Sequence, residues 1–400
     1  MARLMKRKMT ISQATRDYIR NHQNDDVRAL ALKGCQDPDV DFPFALQQIQ
    51  GRQKAKEKLP EMYGTPDILF PPTVSMEQCS SEATARYKAG LVKGDSFADL
   101  TGGFGVDTMA LAKVFDQGYY VEPSAELCQL FEHNIHALGI RNIQIRQGTL
   151  EEVLPTLPEM DILYLDPSRR DGHGQRVVAL TDCTPSVPML KDALLAKARK
   201  GVLVKLSPML DLKSALQQLP ETKEIHVLAV HGECKEVLFL FNHNKAENIE
   251  YHAVNIQGDF VQDFQFGSRE ETEAKPELAD HVSKYLLEPN AAVMKAGAFK
   301  CVAMRYGLLK LHAHSHLYTC DEQVPDFPGR VFTVEKVVPF GKKEVKRQLA
   351  NIVKANVAVR NFPLTAEALR KQLKLGDGGD VYLFGTTLRD GEKVLVVTRK

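Results

Sequence analysis

Asp99, Gly103, Gly105 and Glu122 are the residues whose types and spacing first suggest chemistry. The stretch Ala98 to Asp107 reads ADLTGGFGVD, a glycine-rich turn between an apolar strand and an amphipathic helix. Such a turn holds a dinucleotide pyrophosphate, a triphosphate or a cofactor without phosphate. A dinucleotide fingerprint wants G-x-G-x-x-G, and here Thr108 stands in the third glycine place. A P-loop ends in Gly-Lys-Ser/Thr, and no lysine lies between Val106 and Met109. Both phosphate alternatives weaken.

Asp99 closes the first strand, four residues before Gly103. A carboxylate there repels pyrophosphate and attracts a ligand carrying an α-ammonium and a sulfonium, as S-adenosyl-L-methionine does. Ribose hydroxyls then need an acidic acceptor at the end of the second strand, roughly 20 residues on, and Glu122 closes GYYVE there. An NAD site would use the same acid, so Glu122 alone does not discriminate.

A second motif, DPSRRD, follows the apolar run DILYLD. Asp166 therefore sits at the carboxyl edge of a strand, where open α/β sheets form their sites. Methyl transfer from a sulfonium needs in-line alignment and a free lone pair more than strong acid or base chemistry. A carboxylate accepting a hydrogen bond from an attacking amine supplies that alignment. Amino-methyltransferases carry an aromatic after D/N-P-P, which stacks on a flipped base. Ser168 and Arg169 occupy the two places after Pro167, so a flipped adenine or cytosine amine is not indicated. Arg169 and Arg170 suit a phosphate, or pair with a surface acid such as Asp171. Lys205, at the end of the fifth strand, is a weaker substrate-side candidate.

The elements that must position these residues are legible in the pattern. Residues 10 to about 90 show helical spacing broken by turn signals. From residue 97 short apolar strands alternate with amphipathic helices, as in βα units of a parallel sheet. The expected strands are Ser96–Leu100, Gly118–Glu122, Ile143–Gln147, Asp161–Asp166 and Gly201–Leu206, with helices over Val106–Phe115 and Ser124–Leu138. Glu224–Asn242 reads as an antiparallel hairpin around Gly232. Residues 250–320 carry weak signals, with a solvated loop expected at Gly267–Glu277 and a helix over Tyr285–Phe299. The end of the chain regains order as a small α+β module. It opens with a strand at Phe332–Phe340 and a basic helix through GKKEVKRQLANIVKA.

Composition sets further bounds. In 400 residues, 52 Lys and Arg balance 51 Asp and Glu, so nucleic-acid binding must come from a local patch. Lys342, Lys343, Lys346 and Arg347 form such a patch within two helical turns, as would a solvated amphipathic face. Seven scattered cysteines without a C-x-x-C pair suggest neither a disulfide framework nor a zinc ribbon, and a reducing cytoplasm is expected. No stretch is long and apolar enough to span a bilayer. His312, His314 and His316 alternate and would share one face of a strand, read here as a polar face with no metal expected.

Taken together, DLTGGFGVD, Glu122, Gly148-Thr149, DPSRR and the closing hairpin resemble the class I S-adenosylmethionine-dependent methyltransferases. More narrowly, SSEATARYKAG, DPSRRD, HGECKE, LEPNAAVMKAGAF and KANVAVRNFPLTAEALRKQLKLGDGGD resemble a bacterial methyltransferase-like family. Its members join a helical N-terminal region, the class I core, a ferredoxin-like segment and a C-terminal THUMP-like module. The resemblance implies an α/β fold with a helical N-terminal region over 1–92, a Rossmann-like core over 93–245 whose parallel sheet is closed by an antiparallel hairpin, a ferredoxin-like segment over 246–325 and a THUMP-like α+β module over 326–400. It implies cofactor contacts from Asp99, Thr101, Gly102, Gly103, Gly105, Asp107, Glu122, Pro123, Gly148, Thr149, Asp166 and Pro167, with Gly148-Thr149 beside the adenine. Asp107 is also placed as a first-turn acid favoured by the helix dipole. On the substrate side it implies Ser168, Arg169, Arg170 and Lys205, with structured RNA as the expected partner through the basic helix. A non-catalytic RNA- or cofactor-binding protein of the same fold is the alternative, and an NAD-dependent oxidoreductase is disfavoured by Asp99 and Thr108.

Overall fold

The computed structural model describes residues 11–168 and 180–400. The chain forms two compact units, residues 1–222 with 238–245, and residues 223–237 with 246–400.

In the first unit six helices come first: α1 (Gln13–His22), α2 (Val27–Lys33), α3 (Phe42–Lys58), α4 (Pro60–Gly64), α5 (Thr73–Gln78) and α6 (Glu82–Leu91). Ser12, Asp26, Asp41 and Ser81 cap α1, α2, α3 and α6 by accepting a backbone N–H of the first turn. Strands then alternate with helices: β1 (Ser96–Asp99), α7 (Val106–Leu111), β2 (Gln117–Glu122), α8 (Ala125–Ala137), β3 (Ile143–Gln147), β4 (Met160–Leu165) and β5 (Ala198–Leu206). β1 pairs in parallel with both β2 and β4, β2 with β3, and β4 with β5. The first unit's apolar core joins Ala55, Leu59, Met62 and Phe70 to Phe104, Tyr120 and Phe131, so the N-terminal helices share it with the glycine-rich loop.

β6 (Thr222–Val230) and β7 (Glu233–Phe241) form the expected hairpin. Its two-residue turn, His231-Gly232, takes positive φ at both positions (51° and 80°), the geometry that joins antiparallel strands tightly. The sheet order is β3-β2-β1-β4-β5-β7-β6-β8-β9. Its last two strands, β8 (Glu250–Gln257) and β9 (Phe260–Gly267), were not anticipated. β8 runs parallel to β6, and its consecutive buried residues Ala253, Val254, Asn255 and Ile256 hide the alternation that marks a half-exposed strand.

A second sheet has the order β11-β12-β10-β13-β16-β15-β14. Its strands are β10 (Tyr285–Pro289), β11 (Leu309–Lys310), β12 (Tyr318–Cys320), β13 (Gly329–Pro339), β14 (Asn356–Arg360), β15 (Tyr382–Thr387) and β16 (Lys393–Arg399). Tyr285–Phe299, expected as a helix, is β10 followed by a short helix that Asn290 caps. The expected loop at Gly267–Glu277 contains a helix, Ser268–Glu273. The basic helix spans Lys342–Gln348 and stops there because Leu349 turns into an apolar cluster with Val338, Leu369 and Leu383. His312, His314 and His316 lie in a turn, with His316 at φ 49° and stacked 3.7 Å from Phe299. They therefore do not share a strand face.

Candidate active site

The glycine-rich loop is built around two carboxylates. Asp99 is buried, and its Oδ1 accepts the Thr101 N–H at 3.0 Å while Oδ2 accepts the Thr108 hydroxyl at 2.5 Å. Thr108, the residue that broke the dinucleotide fingerprint, thus fastens the first turn of α7 to the end of β1. Glu122 accepts the Gly103 N–H through Oε2 and the Ser124 N–H through Oε1, each at 2.9 Å. The loop amide that a phosphate would need is already held by a carboxylate, which answers the question the loop raised.

Sterics make the glycines specific. A Cβ on Gly102 would come within 2.2 Å of the Tyr120 ring, and one on Gly105, at φ 84°, within 2.2 Å of Phe131. Those rings stack on each other at 3.8 Å, and the Tyr120 hydroxyl donates to the Gly103 carbonyl at 2.6 Å. Gly103, at φ 53°, has its nearest obstacle at 3.8 Å, so the loop is open on that side.

Gly148 and Asp166 are tied to the elements of this loop. Gly148 donates its N–H to the Glu122 carbonyl at 3.1 Å, and Thr149 caps the next helical turn in a capping box with Glu152. Pro123 is exposed and Pro167 buried. Asp166 donates its backbone N–H to the Thr101 hydroxyl at 2.6 Å, tying DPS to the glycine loop, and its Oδ2 lies 2.5 Å from the Lys205 ammonium. Lys205 also donates to the Ser80 hydroxyl at 3.2 Å. Ser168 is exposed and exchanges two backbone hydrogen bonds with Thr184. Arg169 and Arg170 lie outside the described residues. Lys342, Lys343, Lys346 and Arg347 are exposed on their helix in the second unit, Arg347 paired with Glu344 at 2.5 Å.

Asp107 belongs to a network that local pattern does not display. Its carboxylate accepts the Ser80 hydroxyl at 2.7 Å and the Tyr164 hydroxyl at 2.8 Å, and pairs with the buried Lys88 ammonium at 3.0 Å. Burial alone would raise its pKa, but Lys88 and Lys205 outweigh burial and hold it down. Ser80, Lys88 and Tyr164 were missed. The available signal was the stripe of Thr84 and Lys88, one turn apart on α6, both buried.

Asp99 titrates in the opposite direction. Burial pushes its carboxyl up to about 7, with smaller upward contributions from Asp107 and Asp166, and no ion pair to Asp99 forms among the described residues. A buried carboxylate short of a cation, an open glycine, and an acidic acceptor at the end of β2 together fit S-adenosylmethionine. Its ammonium would compensate Asp99, and its ribose hydroxyls would donate to Glu122.

This fit carries a pH prediction. Because an arriving cation favours the ionised form, S-adenosylhomocysteine affinity is expected to fall as pH drops below about 7, where Asp99 protonates. Asp99→Asn should abolish that dependence and weaken binding by about 1.5–3 kcal/mol. Glu122→Ala should cost a similar amount. Folding has the opposite sign for Asp99: its raised pKa erodes stability as pH climbs from about 4 to about 7, so Asp99→Asn should not lower the apo melting temperature at pH 8. Calorimetry over a pH series checks both. A pH-independent wild type, or unchanged affinity in both folded variants, would remove these residues from the cofactor site.

Comparison with known proteins adds an independent line. Residues 285–328 match the ferredoxin-like domain family and residues 329–400 the THUMP domain-like family. A solved structure from Porphyromonas gingivalis, named as a methyltransferase, is 37% identical and covers 97% of each chain with a TM-score of 0.87. Two proteins of Mycobacterium tuberculosis, named as S-adenosylmethionine-dependent methyltransferases, are each 24% identical over 338 residues, 83% of this chain and 89% of theirs. No helix among the described residues is long and apolar enough to cross a membrane. The chain belongs to the class I S-adenosylmethionine-dependent methyltransferases that carry a C-terminal THUMP-like domain, and S-adenosylmethionine is its cofactor.

Proposed function

We propose that the protein methylates a base of structured RNA by direct in-line transfer, with Asp166 aligning the attacking group. The observation that carries the chemical part is accessibility. The Asp166 side chain is one-third exposed, at 33%, whereas that of Asp107 is 10% exposed and Asp99 is buried, so Asp166 is the carboxylate an incoming substrate can reach. The bound cofactor supplies an electrophilic methyl group on a sulfonium. Asp166, held by Thr101 behind and Lys205 beside it, accepts an N–H of the nucleophile and points its lone pair along the transfer axis. Lys205 pairs with that carboxylate and orients it. Ser168 is proposed to contact the substrate next to it.

Residues 93–245 would then hold the cofactor and residues 326–400 the RNA. Support for the RNA comes from the THUMP domain-like match and from the four exposed basic side chains on the Lys342–Gln348 helix. Backbone phosphates are the natural partners of such a cluster. Reversing the charges of Lys342, Lys343, Lys346 and Arg347 together is expected to weaken RNA binding and flatten its salt dependence, with cofactor affinity unchanged. Filter binding across a salt series measures this. An unaltered slope would return the helix to a solvated surface.

A further inference from the structure

Two short repeats, Glu224-Ile-His226 and Glu250-Tyr-His252, occupy neighbouring parallel strands. The register of β6 and β8 sets Glu224 opposite Glu250 and His226 opposite His252. Alternate residues of a strand share a face, so all four side chains stand on the same side of the sheet. The two imidazoles stack at 4.2 Å with 14° between their planes.

Polar atoms of three of these side chains lie close together. Glu224 Oε2 lies 3.2 Å from His226 Nε2, and Glu250 Oε1 lies 3.6 Å from His252 Nε2. One ligand atom each from Glu224, His226 and His252 falls within 4.8 Å of the others. Behind His252, on β9, Asp263 Oδ2 lies 2.8 Å from Nδ1, and Gln265 Nε2 donates to the same carboxylate at 2.8 Å. A histidine that donates Nδ1–H to a carboxylate has Nε2 as its lone-pair nitrogen, which is how metal-bound histidines are oriented.

We propose that Glu224, His226 and His252 bind one zinc ion across the β6–β8 pair, with Asp263 as the positioning residue for His252. Two imidazoles and one carboxylate form a donor set that zinc accepts, with water in the fourth tetrahedral position. Zinc bonds of about 2.0–2.1 Å place neighbouring donors about 3.3 Å apart. The donors, within 4.8 Å of one another, therefore need to draw in by up to about 1.5 Å, and the stacked rings must turn so that their Nε2 lone pairs meet; the partly exposed Glu224 side chain is the entry path. The ion ties β6 to β8 and neutralises the carboxylate charge gathered between them. His226 binds as the neutral imidazole, and its Nε2 proton passes to solvent.

The test uses the full chain, stripped with a chelator and titrated with Zn(II) in a calorimeter. Binding of one zinc per chain is expected, with the visible bands of tetrahedral Co(II) on cobalt substitution. Glu224→Gln and His252→Ala should each weaken binding at least tenfold, and Asp263→Asn by about 10–100-fold. Glu224→Gln changes a partly exposed side chain and is the variant expected to keep its fold, checked by circular dichroism. Failure to bind zinc near one equivalent, or the same affinity in folded Glu224→Gln and Asp263→Asn as in wild type, would overturn the site.

Discussion

Asp166→Asn is expected to cut turnover by on the order of a hundredfold or more while cofactor affinity changes little. Asparagine keeps the size and one acceptor oxygen but discards the charge that faces Lys205 at 2.5 Å. The backbone N–H to Thr101 is untouched, so the loop and its carboxylates stay in place. What is lost is the acceptor that holds the nucleophile's lone pair in line, an interaction strongest in the aligned complex. Single-turnover rates with labelled cofactor, paired with S-adenosylhomocysteine affinity, separate the two effects. Equal loss of affinity and rate would make Asp166 a cofactor-binding residue. Wild-type activity in Asp166→Asn would move the alignment to other groups, Ser168 being the next to test.

Lys88→Met should produce the largest loss of stability. Lys88 is 1% exposed and pairs with buried Asp107, so its removal leaves a carboxylate uncompensated in the interior. Breaking such a pair from one side costs about 3–5 kcal/mol. Lys205 also stabilises the Asp107 charge, which places the expected cost near the lower end of that range. For a unit of this size the melting temperature should fall by on the order of 10 °C. The same pair gives an acid limb: Asp107, held below its ordinary value of 3.8, contributes stability above that pH and loses it as pH falls further. Thermal melts at several pH values test both points, and an unchanged midpoint in Lys88→Met would contradict a structural role for the pair.

How much of this was legible follows from what each feature depends on. The loop and the ends of β1, β2 and β4 are local: an apolar run ends in an acid, glycines follow, and the open α/β sheet puts those ends together. The Thr108–Asp99 bond explains a departure that the sequence shows only as a missing glycine. The Ser80–Lys88–Asp107–Tyr164 network joins residues up to 84 positions apart, from Ser80 to Tyr164, so no local period reveals it. Glu250 to Gly267 was obscured because β8 is buried on both faces over its centre. The basic helix was overextended because Leu349 and Ile352 continue a helical spacing, yet both pack against the module's own core instead.

Methyl transfer to RNA can be measured directly. Its most direct measurement incubates the full protein with radiolabelled S-adenosylmethionine and size-fractionated cellular RNA, then digests each fraction to nucleosides. Label is expected in one methylated nucleoside from a structured RNA fraction, and is expected to be lost with Asp166→Asn. Cofactor binding with no label in any RNA fraction, or label that enters only protein or small molecules, would contradict it.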